Sequence, residues 1–278
     1  MKSIAILLTV FNRKDKTLQC LRVLYSIVVV DKLRFSVFIT DGGSTDGTVE
    51  MVRKEFPDVD IKVEEGVFWN RGMYKSWERA STKGEYDYYL WLNDDVTLYD
   101  DCIQTLLAAS VENSDKSIIV GATVDTVTKT KLTYGGRIEG RGIAPIDGNL
   151  VKVDHFNGNI VLVPSYVFER LGNLDYYYTH SKGDFDYGIR AKKAGIEVYQ
   201  CGKALGECDV HPRIDKWCDP EVPLSQRLKM LYRPNGMPPH ETFHLERQTN
   251  LIKAIFHYFT VHIRCVFPQI WTNFRSNH

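Results

Sequence analysis

Residues 86–95 read YDYYLWLNDD: a very apolar strand, Tyr86–Leu92, whose hydrophobic run Tyr88–Leu92 stops abruptly on Asn93, Asp94 and Asp95. An apolar segment of this length without polar alternation is the form of a strand covered on both faces. Working back toward the N-terminus, Arg71–Ala80 has helical spacing, Val59–Val63 is a short strand, and Thr48–Phe56 is helical with Thr45 or Asp46 as its cap. Phe35–Thr40 is strand-like and ends at Asp41-Gly42-Gly43, where the glycines turn the chain. Lys14–Val30 carries Leu18, Leu21, Val23, Leu24, Ile27 and Val28 at helical spacing, and Ser3–Phe11 is a second unbroken apolar run. This βαβαβ order predicts an α/β fold with a mostly parallel central sheet flanked by helices. Ligands of such sheets bind beyond the carboxyl ends of the strands, and acidic residues gather there: Asp41 and Asp46, then Asp94 and Asp95.

Working forward, the character changes. Ile118–Val124, Val151–Phe156 and Ile160–Val163 are short strand-like runs between loops rich in glycine and threonine. Ser165–Leu171 and Asp184–Ala194 are helical, the latter closed by Gly195, and Asp184 and Asp186 add to the acidic set. Residues 202–245 show little periodicity, and prolines 212, 220, 223, 234, 238 and 239 suggest an irregular wrap before a last helix, Leu251–Val266. Without an internal repeat or low-complexity linker, the expectation is one domain over 1–205, with a donor half to about residue 100 and an acceptor half after it. A C-terminal helical extension follows over 206–278.

The 278 residues carry 35 Lys and Arg against 35 Asp and Glu, so no basic excess marks a nucleic-acid-coating protein. Hydrophobic residues at 44% and charged residues at 25% exclude wholesale disorder. Cys20, Cys102, Cys201, Cys208, Cys218 and Cys265 form no CxxC pair and read as reduced thiols of a cytosolic protein. The Ile4–Phe11 run is too short to span a bilayer and reads as a buried strand, not a signal peptide.

No GxGxxG or Walker-type loop is present. Acidic strand ends repel a phosphate unless a divalent cation stands between them, and magnesium or manganese prefers carboxylate, phosphate and water oxygens. The bland alternative is that these acids form caps and turns, and for Asp46, in Ser44-Thr45-Asp46-Gly47, that alternative stands equally. Asp184 opens a helix, so its bland reading is an N-cap. A cap alone explains neither Asp186 two residues on nor the glycine before it that permits close approach of a substrate, and catalysis is the favoured reading.

Four motifs, LTVFNRKDKT (8–17), ITDGGSTDGT (39–48), WLNDDV (91–96) and GDFDYGIRAKKAG (183–195), stand in the order and spacing of family 2 glycosyltransferases, which the chain resembles over nearly its whole length. FWNRGMYKSW (68–77), FNGNIVLVP (156–164) and LGNLD (171–175) resemble a bacterial subgroup that builds surface polysaccharides of the cell envelope. The resemblance implies a GT-A fold and an inverting transfer from a nucleotide-diphosphate sugar, UDP- or dTDP-linked by default, to a glycan or lipid-linked acceptor, assisted by Mg2+ or Mn2+. It implies that Thr9, Phe11, Asn12 and Arg13 line the base and ribose side of a nucleotide pocket, with Asp41 accepting from base or ribose. Asn70, Arg71 and Met73 would approach the nucleotide and its phosphates. Asn93-Asp94-Asp95 matches the family's DxD-type motif; with Asn93 in the first place, Asp95 is left as metal ligand and Asp94 as a ribose or sugar contact. Asp184 matches the catalytic base, and Gly183 replaces the glutamate before it. Asp186 would support the acceptor side by orienting the loop or pairing with Arg190 at i+4.

His211 is either a further metal ligand or a loop histidine, and its spacing from Cys201, Cys208 and Cys218 matches no compact zinc finger. A nucleotidyltransferase is the rival enzyme class, although the glycine-rich segment it usually carries after the first strand is absent. A non-catalytic binding module of the same fold is the third. In the last helix, Lys253, His257, Thr260 and Arg264 form a narrow polar stripe, while Ile252, Ile255, Phe256, Phe259, Ile263 and Phe267 make the rest apolar. Such a helix lies in a membrane interface with Trp271 and Arg275 near the headgroups, or packs on the domain or on a second subunit of a homodimer. A lipid-linked acceptor would place the protein at the cytoplasmic face of the membrane.

Overall fold

A computed structural model describes residues 2–30, 33–210 and 216–269. The chain divides into two compact units, one made of residues 1–176 and 183–210, the other of residues 177–182 and 211–278.

The first unit begins with the alternation expected: β1 (Ser3–Val10), α1 (Lys14–Val30), β2 (Arg34–Asp41), α2 (Thr48–Glu55), β3 (Asp60–Val63), α3 (Trp69–Lys83) and β4 (Tyr88–Leu92). It continues through β5 (Thr97–Leu98), α4 (Cys102–Glu112), β6 (Ile118–Val124), β7 (Leu132–Tyr134), β8 (Gly136–Ile138), β9 (Gly142–Ile143), β10 (Val151–Lys152), β11 (His155–Phe156), β12 (Ile160–Pro164), α5 (Ser165–Leu171), α6 (Gly183–Lys193) and β13 (Val198–Glu207). The central sheet runs β10-β13-β6-β12-β4-β1-β2-β3. Strands β3, β2, β1 and β4 are mutually parallel, and β6 and β13 share their direction. Only β12 and β10 on that path run against them, so the sheet is mostly parallel. A small second sheet joins β11, β8 and β9.

The reason for the unbroken apolar strands is visible in β1. Ile4, Ile6 and Leu8 enter a core with Leu21 and Leu24 of α1 and Leu106 of α4. Ala5 and Leu7 enter a second core with Met73 and Trp77 of α3 and Tyr187 of α6. Side chains alternate across a strand, so covering both faces demands apolar residues at every position. Each fully buried Leu or Ile contributes roughly 1.5–3 kcal/mol.

Two expectations are corrected. Val151–Phe156 is not one strand: β10 pairs with β13, and β11 pairs with β8 in the other sheet. The crossing residue Asp154 turns its carboxylate to the Glu139 N–H, 2.9 Å away. Nor are the described residues of 202–245 an irregular wrap. Strand β13 extends to Glu207, its register shifting between Gln200 and Gly206, which hides its period in the sequence. The second unit then holds a 3-10 turn, Lys216–Cys218, and the helices α7 (Leu224–Leu231), α8 (Pro239–Glu246) and α9 (Leu251–Val266). Pro223 and Pro238 are the N-caps of α7 and α8; these prolines start helices, where a missing N–H costs nothing. Trp217, Leu231, Val261 and Cys265 form this unit's own core.

Candidate active site

The carboxyl ends of β1, β2 and β4 lie side by side, and the loops leaving them are stitched together. Leaving β1, Asn12 adopts φ 49°. Its N–H donates to Ser44 Oγ (2.7 Å), and its Oδ1 accepts from the Thr45 N–H (2.8 Å). Asp46 Oδ2 accepts from the Lys14 N–H that opens α1 (2.9 Å), and its Oδ1 accepts from the Thr48 N–H that opens α2 (3.1 Å). Asp46 therefore serves two helix starts, where a carboxylate satisfies orphan donors and favours the positive end of the dipole. The cap position of α2 itself is Gly47, not Thr45 or Asp46. At the end of β2, Asp41 is fully buried. Its Oδ1 accepts from the N–H groups of Gly43 (2.9 Å) and Ser44 (2.7 Å). Its Oδ2 is buried without a hydrogen-bond partner among the described residues.

Beyond β4, Arg13 Nη1 lies 2.9 Å from Asp95 Oδ2 and 3.3 Å from Asp94 Oδ1. Asp94 Oδ2 accepts from Thr17 Oγ1 at 2.9 Å. Asp94 is only 3% exposed, and burial pushes its carboxyl up to about 6, against the opposing pull of Arg13 and Thr17. Asp95 is nearly as enclosed, with Cys208 Sγ at 3.8 Å from its Oδ1. Burial, then the Asp95 charge, pushes the Cys208 thiol up to about 12, so it stays protonated near neutrality. Asn93 faces away from this pair: its Oδ1 accepts from the Trp69 indole N–H (2.7 Å), and its own N–H donates to the Asn159 carbonyl (3.0 Å).

From Trp69 the connection reaches α6. Gly158 lies under the Trp69 ring so closely that a Cβ there would come within 2.5 Å of it. The Gly158 N–H donates to Asp184 Oδ2 (3.1 Å), and the Phe185 N–H donates to Asp184 Oδ1 (2.9 Å). Asp184 sits inside the first turn of α6, not at its cap, and one oxygen reaches out of the helix. At Gly183 a Cβ would lie 1.7 Å from Asn70 Oδ1, so the place where the resemblance expects a glutamate is filled by Asn70. Asn70 is fully buried, and its Nδ2 donates to the Asp175 carbonyl (2.8 Å).

Asp186, one side of which is the acceptor-side expectation, pairs with Arg190 Nε at 2.8 Å. Arg190 also donates to the carbonyls of Leu171 (2.7 Å) and Asn173 (3.0 Å). The pair thus fastens the loop after α5. Arg71 Nε donates to the Tyr176 carbonyl (3.2 Å), and its guanidinium lies over the Tyr176 ring. Met73 departs from the expectation of a nucleotide contact: it is fully buried in the core beneath the site. Thr9 Oγ1 donates to the Trp69 carbonyl (3.3 Å), while Phe11 is 54% exposed at the mouth of the site. His211 lies outside the described residues. The sequence reading does not single out Thr17, Trp69 or Gly158, and it names Cys208 only as a reduced thiol and in connection with zinc; Thr17 at i+4 from Arg13 is the one spacing signal that points to any of them. A cavity of about 400 Å³, lined by Lys116, Tyr166, Arg170 and Glu197, opens at the opposite ends of β6 and β13 and brings no such acidic set together.

Among the described residues no three His, Cys, Asp or Glu side chains come together to hold a metal. Magnesium takes one or two carboxylates and completes its shell with water and substrate phosphates. A single carboxylate with a diphosphate is a donor set that such an ion accepts, and Asp95 offers one beside Arg13, while Asp94 is engaged by both Thr17 and Arg13.

The sequence profile described as Glycosyl transferase family 2 matches residues 5–211. The chain belongs to that family. Among solved structures, S. aureus TarS superposes with a TM-score of 0.53 at 15% identity, covering 90% of this chain and 43% of that one. A shorter TarS structure, 1–349, gives a TM-score of 0.52 at 15% identity, covering 90% of this chain and 71% of that one. This chain therefore spans less than half of the longer TarS chain. The likeness is one of fold, the GT-A arrangement of a mostly parallel sheet flanked by helices. Among curated proteins no sequence matches significantly.

Proposed function

We propose that this glycosyltransferase is inverting and moves a sugar from a nucleotide-diphosphate donor, UDP- or dTDP-linked by default, to a glycan or lipid-linked acceptor. The observation that carries this reading is the acidic set of Asp41, Asp94 and Asp95 at the strand ends and Asp184 in the first turn of α6, held by hydrogen bonds from Ser44, Arg13 and Gly158 and by the packing of Gly158 under Trp69. Asp41 Oδ2, buried and without a partner among the described residues, is an acceptor awaiting a donor, which a nucleobase N–H or ribose hydroxyl supplies. Asn12 and Arg13 border that position, and Phe11 offers an exposed ring for a base to stack on.

Asp95 is the residue that would hold a Mg2+ or Mn2+ ion with the diphosphate, and the ion, when bound, neutralises charge developing on the leaving group. Arg13, 2.9 Å from Asp95, is placed to turn its guanidinium to the same phosphates. Asp184 is assigned as general base. It takes the proton of the acceptor hydroxyl as that oxygen forms its bond to the anomeric carbon, and the bond from that carbon to the diphosphate breaks on the opposite side. The Gly158 and Phe185 N–H groups orient the Asp184 carboxylate. Asp186 and Arg190 hold the 171–173 loop and act on the acceptor side by position only.

Thermal stabilisation by a panel of nucleoside diphosphates, with and without manganese, tests the donor half of this reading. Binding raises apparent stability by mass action, so one base should shift the melting temperature selectively, and more with the ion. Equal, metal-independent shifts across the panel would contradict it.

A further inference from the structure

Helix α9 is packed with its large apolar side outward. Toward its own unit it turns Ala254, Val261 and Cys265, all buried. Two members of the polar stripe also turn inward: His257 Nδ1 lies 2.7 Å from Glu246 Oε1, and the Arg264 guanidinium stacks over Trp217. The opposite face carries Ile252 (81% exposed), Phe256 (70%) and Phe259 (61%), with Ile255, Ile263 and Phe267 also exposed. Their spacing of 3, 4, 7, 11 and 15 residues from Ile252 keeps them on one side of a 3.6-residue helix. Lys253, exposed, borders this strip. Tyr232 at the end of α7 widens it, exposed and with its hydroxyl 2.7 Å from His262 Nε2. An apolar strip of this size is not left in water without a partner.

We propose that this face of α9 lies on an anionic lipid bilayer, parallel to its surface. Charge decides between the possible occupants. The unit that carries α9 contains ten Lys and Arg against five Asp and Glu. A second copy would bring the same positive excess against it, whereas anionic headgroups attract it. Bilayers receive a helix of this form, with its apolar side in the acyl boundary and cations at the headgroups. The 16 residues of α9 make a helix of about 24 Å, and among the described residues no helix is long and apolar enough to cross a membrane. The arrangement therefore attaches without spanning.

Flotation of the full chain with vesicles of phosphatidylcholine alone, and with phosphatidylglycerol added, tests the proposal beside the variant Phe256→Glu/Phe259→Glu. Both phenylalanines point outward, so the variant should keep the wild-type melting temperature, and a second pair, Ile252→Ser/Ile263→Ser, serves should it not. The full chain is expected to float with the anionic vesicles, less at high salt, and each double variant to lose binding by about tenfold or more. A full chain that floats with neither vesicle, or a folded variant that floats as the wild type does, overturns the proposal. A wild-type dimer that the variant converts to monomer, with no vesicle binding, assigns the face to a second copy instead.

Discussion

Gly183→Ala puts the closest contact in the site to the test. Gly183 opens α6, and an added Cβ would stand 1.7 Å from Asn70 Oδ1 and 2.6 Å from Asn70 Cγ. Helix propensity alone favours alanine over glycine by up to about 1 kcal/mol. Against that stands the clash with a side chain that is fully buried and anchored by its Nδ2 on the Asp175 carbonyl at 2.8 Å. Moving Asn70 leaves that buried carbonyl without its donor, worth roughly 1–3 kcal/mol. Forcing extra volume into a packed site costs about 1–3 kcal/mol more. The net expectation is a loss of about 2–4 kcal/mol in urea unfolding, with the slope against denaturant unchanged. Asn70→Ala in the same chain should recover part of that loss, because the two residues share one space. Gly183→Glu, which restores the residue the family resemblance expects, should lose at least as much stability and displace Asp184. A Gly183→Ala protein as stable as wild type would refute the fit of Asn70 against Gly183.

Three further outcomes are expected. Asp94, held by burial at about 6, keeps in the folded state a proton that the unfolded chain releases near pH 4. Its contribution to stability therefore falls as pH rises from about 4 to 6, so Asp94→Asn should gain relative to wild type across that window in urea titrations at fixed pH values; a constant difference would contradict the assignment. Asp95→Ala should abolish the manganese dependence of nucleoside diphosphate binding measured by calorimetry while leaving the far-ultraviolet spectrum unchanged, and an undiminished dependence would remove Asp95 as ligand. Arg190→Ala leaves the buried Asp186 carboxylate without its cation and should cost about 3 kcal/mol; a loss within 0.5 kcal/mol, about the effect of an ordinary surface substitution, would show the pair to be unimportant.

The donor half of the fold was legible because its signals are local. Unbroken apolar runs separated by helical spacing mark buried parallel strands, and β1, α1, α2 and β4 fall where the runs place them. The acidic row was legible for the same reason, since turn residues follow the ends of such strands. What the sequence hid was non-local or ambiguous in sign. Prolines 223 and 238 read as breakers but start helices, and β13 changes register part-way, so no single period describes it. Met73 sits in a motif that resembles a nucleotide contact, yet its position on α3 faces the sheet and the core. The engagement of Asn93 by Trp69 and the filling of the Gly183 position by Asn70 depend on side chains far apart in the chain. No spacing rule reports such pairs.

The most direct test of the proposed chemistry compares wild type with Asp184→Asn in two assays on the same preparation: donor affinity, and nucleoside diphosphate released upon adding acceptor. A general base contributes typically ~10²–10⁴-fold in rate, and the amide keeps the size of the carboxylate with an oxygen still able to accept from Gly158. The account predicts unchanged donor affinity, with release slowed by that factor. Release at the wild-type rate, or loss of donor binding together with turnover, would contradict it.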